Sequence, residues 1–334
     1  MKKRLLVTLL VLAAVTALVA APIKVGLVTD VGGIDDKSFN QGTWEGIKLF
    51  AKENKLKEGT DVKYLQSTAD ADYIPNLSTF ADEGLDLIVA PGFLFEQAMG
   101  QVADQYPQQK LLIIDSVVAK PNVASAVFAA NEGSFLAGIA AAVTCKENNQ
   151  NTVGYIGGMK FPLIENFQAG FEQGVKTILP GATILVDYSG SFTDAGLGQA
   201  LAAKQYGQGA YVIFQVAGGC GNGVIKEAKE RTAKGDVRWA IGVDKDQYSD
   251  GIYRGTRSAV LTSMMKRVDV ASHDVAAMVR DGKFPGGQVL VFSLKNKGVG
   301  LPTANPNLSA AAVKEIKKYE TLISTGKLLV NEVK

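Results

Sequence analysis

Between Val28 and Gly46 the sequence reads VTDVGGIDDKSFNQGTWEG, which sets aspartates, a lysine, a serine, Phe39 and Asn40 where an apolar run hands over to a helical pattern. In open α/β sheets ligands sit outside the carboxyl ends of the strands, where loops converge and helix N-termini offer free N–H groups. Similar junctions elsewhere carry the other candidates. The first half of the chain offers Asp30, Phe39, Asn40 and Asp115, and the second half Phe192, Gly218, Gly219, Asp244 and Lys266. An ionised carboxylate only accepts hydrogen bonds and hydroxyls donate them, so aspartates at strand ends suit a polyol better than a phosphate. Phe39 could stack on a flat ring whose edge Asn40 reads, and a packing role for Phe39 explains it equally well. Asp30 and Asp115 also have an alternative reading as caps of the helices that follow. Lys266 is either an exposed first-turn lysine or a donor to a ligand hydroxyl or ring oxygen.

Two features of the same segments read as structural. Ser38 followed three residues later by Gln41 has the form of a capping box, which assigns the Ser38 hydroxyl to backbone N–H groups. The AGGCGNG run (217 to 223) opens a helix after a strand, as a phosphate cradle does, but fits neither glycine-rich phosphate motif. A tight turn that brings backbone close to an uncharged ligand explains its glycines as well.

Positioning these residues requires a series of strands and helices, and the chain supplies one. IKVGLVTD, VKYLQST, LDLIVAP, KLLIIDS and VASAVFAA read as strands buried on both faces. Helical patterns near 39 to 54, 73 to 83 and 94 to 106 separate the first four. Trp44, Ile47 and Phe50 mark the buried stripe of the first helix. After a helix over 131 to 147 the alternation restarts with NTVGYIGG, ATILVDYS, AYVIFQVAG, VRWAIGVD and SAVLTSM. Helices are expected near 163 to 178, 195 to 206, 222 to 233 and 266 to 281. Such βαβ series give parallel sheets with right-handed crossovers. Two lobes are expected, one of residues 22–148 with about 283–334 and one of 149–282. GGQVLVFSLKNKGVGL should form one or two strands, and the helix over 308 to 326 should pack back on the first lobe.

Composition excludes several classes. The chain has 334 residues and a formal charge of +2, with three of its positive residues in the first four positions, so the remainder is near neutral and unsuited to nucleic acid. Residues 1–21 combine a basic start, an apolar run and a small-residue pattern, which reads as a cleavable secretory signal peptide. No cysteine stands at the cleavage site, so no lipid anchor is expected, and no later stretch has the apolar length of a membrane span. Cys145, Cys220 and the single His273 form no zinc pattern; His273 sits in a helical segment, and a fold of this length does not require the cysteines to pair. No metal or cofactor is expected, and the protein is read as a monomer.

GLVTDVGGIDDKSFNQGTWEG resembles the N-terminal signature of the basic membrane protein family, the purine-nucleoside receptor type of substrate-binding protein. The resemblance continues through IVAPGFLFEQA, FAANEGSFLAG, VGYIGGMKFPLIENFQAGF, VAGGCGNGVIKEA, GVDKDQ and LTSMMKRVD, nearly the whole chain beyond the leader. It implies an α/β, two-lobed type I periplasmic-binding-protein fold, each lobe a parallel sheet flanked by helices, with three crossovers and the ligand in the interlobe cleft. It also implies capture of adenosine, guanosine or inosine by lobe closure and delivery to an ABC importer permease. Carried onto matching positions, it gives Asp30, a stacking Phe39, a base-reading Asn40 and a base-contacting Asp115. It gives ribose contacts at Gly218 or Gly219, Asp244 and Lys266, and a second stacking aromatic at Phe192. Many members carry a lipid-attachment cysteine where this chain reads LVAAP, which favours free diffusion in a periplasm. A nucleoside-cleaving hydrolase and a binding protein for another small polar ligand are the alternatives, the first opposed by the absence of a histidine or metal cluster near the proposed site.

Overall fold

The computed structural model describes residues 22–333, and the expected leader lies outside them. Its first half runs β1 (Val25–Thr29), α1 (Phe39–Glu53), β2 (Val62–Gln66), α2 (Tyr73–Asp82), β3 (Leu87–Pro91), α3 (Glu96–Gln105), β4 (Leu111–Ile114) and β5 (Val123–Phe128). Then follow α4 (Ala130–Glu147), β6 (Thr152–Gly157), α5 (Pro162–Ile178), β7 (Thr183–Tyr188), α6 (Ala195–Gly207), β8 (Val212–Val216), α7 (Gly218–Ala233) and β9 (Trp239–Asp244). The last part holds a small hairpin, β10 (Ile252–Arg254) with β11 (Arg257–Ser258), then β12 (Val260–Lys266), α8 (Val268–Arg280), β13 (Val289–Phe292), β14 (Val299–Gly300) and α9 (Ala310–Ser324).

The strands assemble into two six-stranded sheets, ordered β13-β5-β4-β3-β1-β2 and β14-β12-β9-β8-β6-β7. All neighbours pair in parallel except β12 with the short β14. Every residue of β1, β3, β4 and β8 is buried, because helices cover both faces of each sheet. Alternation sorts the side chains: Leu87 and Val89 face the layer of α1, whereas Ile88 and Ala90 face α2 and α3. Trp44, Ile47 and Phe50 form the buried stripe of α1, as the three-residue spacing predicts.

The sheets place three passages of the chain between lobes, after β5, after β12 and between β13 and β14. Helix packing departs from the expected division. Helix α4 lies against α5, α8 lies against α1, and the final helix α9 lies against α4 rather than on the first sheet's layer. The reason is that α4 is buried around nearly its whole circumference, so its apolar pattern carries no stripe to show which sheet it covers. A second departure concerns AGGCGNG. Helix α7 begins at Gly218, so most of that run is helix rather than loop, and a Cβ at Gly221 would come 1.7 Å from Oε1 of Gln215 on β8. The glycine there permits close helix–strand packing.

Candidate functional site

The carboxyl ends of both sheets border one cleft, which encloses about 640 Å³ not filled by protein atoms and partly open to solvent. Asp30, Phe39, Asn40, Asp115, Phe192, Gly218, Asp244 and Lys266 all line it; Gly219, also expected there, does not. The fold brings these residues together because each ends a strand, starts the next helix or, as Phe192 does, lies in the loop that joins the two.

Asp115, just past β4, and Asp244, the last residue of β9, hold equivalent places in the two halves. Both adopt left-handed backbone, with φ of 65° and 64°, a conformation aspartate tolerates better than most residues. Both side chains converge on the Lys266 ammonium. It contacts an Asp115 oxygen directly and lies 3.4 Å from Asp244 Oδ1. Its Nζ also stands 4.3 Å from the centroid of the Phe39 ring, a cation–π arrangement. Burial alone would lower the pKa of Lys266, but the Asp115 and Asp244 carboxylates outweigh it and hold the ammonium above its ordinary range. Burial raises the Asp115 carboxyl above its usual range, against the pull of Lys266. Asp115 Oδ1, on the side of the carboxylate away from the Lys266 contact, is buried without a hydrogen-bond partner.

Beneath the cleft, Asp36 organises the start of α1. Its Oδ1 accepts from the backbone N–H of Ser38 and Gln41 at 2.9 and 3.0 Å, and its Oδ2 from the N–H of Asn40 at 2.8 Å. This overturns the capping box: the Asp36 carboxylate takes the orphan N–H groups, and the Ser38 hydroxyl donates instead to Asp244 Oδ2 at 2.5 Å. Burial pushes the Asp36 carboxyl up to about 6 even though four N–H donors favour its charge. Neither Asp36 nor this role of Ser38 was expected. The readable signal was an aspartate two residues before the serine, the spacing of a side chain that bonds backbone further along. Phe93 and Phe167 were missed as lining residues too. Phe93 stacks on Phe161 at 4.3 Å between centroids and 7° between planes, and lies edge-on to Phe192 at 6.3 Å.

Further contacts join the two halves beside the cleft. Asn222 Nδ2 donates to the Asp36 carbonyl at 3.1 Å, Gln247 Nε2 to the Lys37 carbonyl at 3.0 Å, and Lys245 pairs with Glu45 at 2.6 Å. His273 is remote from the lining, between Glu53 and Asp274 on the α1–α8 surface. Both cysteines are free thiols and buried. Among the described residues no group of three His, Cys, Asp or Glu is placed to hold a metal ion, and no helix is long and apolar enough to cross a membrane.

Residues 23–334 match the family model described as Bmp, ABC transporter substrate-binding protein PnrA-like. The chain is 39% identical over 322 residues to the ABC transporter nucleoside-binding protein BmpA of Lactococcus lactis, covering 93% of this chain and 90% of that one. It is 40% identical over 316 residues to the CD4+ T-cell-stimulating antigen of Listeria monocytogenes, covering 92% and 88%. Among solved structures, an ABC transporter solute-binding protein from Aeropyrum pernix superposes with a TM-score of 0.82 at 27% identity, over 92% of this chain and 93% of that one. A two-lobed fold closed around a polar, aromatic cleft and a match from end to end of the described chain thus lead to one assignment: the chain belongs to the Bmp family of PnrA-like ABC transporter substrate-binding proteins.

Proposed function

We propose that this substrate-binding protein captures a purine nucleoside between its lobes and presents it, closed, to the permease of an ABC importer. The observation that carries the reading is the composition of the cleft between the two sheets: Phe39 and Phe192 offer flat apolar faces, Asn40 and Asp115 offer edge acceptors, and Asp244 with Lys266 offers an acceptor and a donor side by side. A heterocycle joined to a polyol matches that division, since rings stack on aromatics while hydroxyls need both donors and acceptors. The relative named as nucleoside-binding supports the same ligand class. Closure follows from differential affinity: contacts that reach the ligand from both lobes exist only when the lobes meet, so ligand favours that state. The reading takes the site of action to be extracytoplasmic, because the expected leader would export the chain.

Native mass spectrometry of the purified protein tests this. A 1:1 complex with a co-purified or added purine nucleoside is expected, with the nucleoside released intact. A protein that carries and takes up no purine nucleoside contradicts the reading, and release of free base would make it a hydrolase.

A further inference from the structure

An amide that reads a ring edge can present either its N–H groups or its oxygen, and which it presents decides what ring it accepts. In Asn40 the choice is made by its neighbours. Its Nδ2 donates to Asp30 Oδ1 at 2.8 Å and to Asp36 Oδ2 at 3.1 Å, which occupies both amide protons. Turning the amide over would set its oxygen against two carboxylate oxygens, acceptor against acceptor, so the orientation is enforced by charge. What remains is Asn40 Oδ1, in a residue only 2% exposed that lines the cleft, and this atom is buried with no hydrogen-bond partner. Asp115 Oδ1 is a second buried, unpartnered acceptor in the same lining. Asp36 holds the arrangement without touching only the side chain: the same oxygen that accepts from Asn40 Nδ2 accepts from the Asn40 backbone N–H at 2.8 Å. Asp36 therefore fixes the backbone position of Asn40 and, together with Asp30, the polarity of its amide.

We propose that the ring-edge subsite is acceptor-only, with Asp36 as the positioning residue that locks Asn40 in its accepting orientation, so that the protein selects purines carrying N–H donors on that edge. This rests on the nucleoside reading and narrows it. Adenosine, guanosine and inosine each bring at least one such donor. A purine riboside with no exocyclic substituent brings none, and 1-methylinosine loses the ring N–H that inosine has. A ring without a donor would leave Asn40 Oδ1 and Asp115 Oδ1 dehydrated and unpaired, and a buried acceptor left so weakens binding by roughly tenfold or more.

Calorimetric titration of the full chain with five compounds tests the proposal: adenosine, guanosine, inosine, unsubstituted purine riboside and 1-methylinosine. The expected result is that at least one of the two donor-lacking compounds binds at least about tenfold more weakly than its parent, adenosine or inosine. If both bind within about threefold of their parents, the acceptor-only subsite is wrong while nucleoside capture stands; if none of the five binds, the nucleoside reading itself has failed. Asp36→Asn supplies the positioning test. Its amide can face Asn40 with either end, so the lock is weakened to the Asp30 contact alone, and the affinity ratio between adenosine and unsubstituted purine riboside should fall at least about threefold, whatever happens to absolute affinity. A ratio unchanged from the parent protein in a folded Asp36→Asn variant removes Asp36 from the positioning role.

Discussion

Lys266 is the residue on which the cleft's charge balance turns. It is 4% exposed and, among the described residues, the only cation in the lining, where it meets Asp115 from one half of the molecule and Asp244 from the other. A buried ion pair adds little against a well-packed apolar replacement, but removing one partner strands the charges that remain. Lys266→Met should therefore lower stability by about 3–5 kcal/mol. Thermal unfolding at pH 7 measures the loss, and part of it should return as pH is lowered, because the buried Asp115 carboxyl, already raised above its usual range, then binds a proton. An unchanged melting temperature would mean the two aspartates do not depend on Lys266. Asp115 and Asp244 could be named in advance because each ends an apolar run. Asp36 could not, since the three aspartates in the seven residues 30–36 look alike until burial and backbone direction separate them.

At the scale of elements, the start of α1 is held by one side chain, Asp36. Burial raises the Asp36 carboxyl from 3.8 to about 6, so the folded protein keeps a proton that the unfolded chain would release. The sign follows: this group's contribution to stability is fully present below 3.8 and is lost as pH rises through about 6. Denaturant midpoints taken from pH 4.5 to 7 should show that fall, and Asp36→Asn should flatten it; an equal slope in both proteins would deny Asp36 the role. Much of the element order was legible, because strands buried on both faces are near-continuous apolar runs and α1, α5 and α8 carry clear stripes. The allocation of helices to lobes was not. α4 is apolar on all sides, and α9 packs on α4 through a face that would serve either sheet. The helical start of α7 was hidden for another reason: its glycines signal a turn, and close helix–strand packing is what Gly221 serves, whereas the β10–β11 hairpin escaped because its strands are only three and two residues long around the turn at Gly255.

At the scale of the molecule, the two halves meet through bolts that flank the cleft. Ser38–Asp244, Asn222–Asp36 and Gln247–Lys37 are hydrogen bonds from one lobe to the other, and the stacked pair Phe93–Phe161 lies across the cleft's edge. These contacts favour the closed state and so contribute to affinity by lessening what the ligand must supply to hold it. Ser38→Ala combined with Asn222→Ala should weaken nucleoside binding by roughly tenfold, mostly through faster dissociation, and increase the radius of gyration of the protein in small-angle scattering. A double variant with unchanged off-rate and dimensions would mean the bolts do not govern closure.

The central claim is that these lobes close on a purine nucleoside gripped through Asn40, Asp244 and Lys266. Isothermal titration of the protein with adenosine, guanosine and inosine tests it most directly, run beside Asp244→Ala. The account predicts saturable 1:1 binding of at least one of the three, and a loss of at least about tenfold in the variant. Heat from none of them, or identical isotherms for the two proteins, would contradict it.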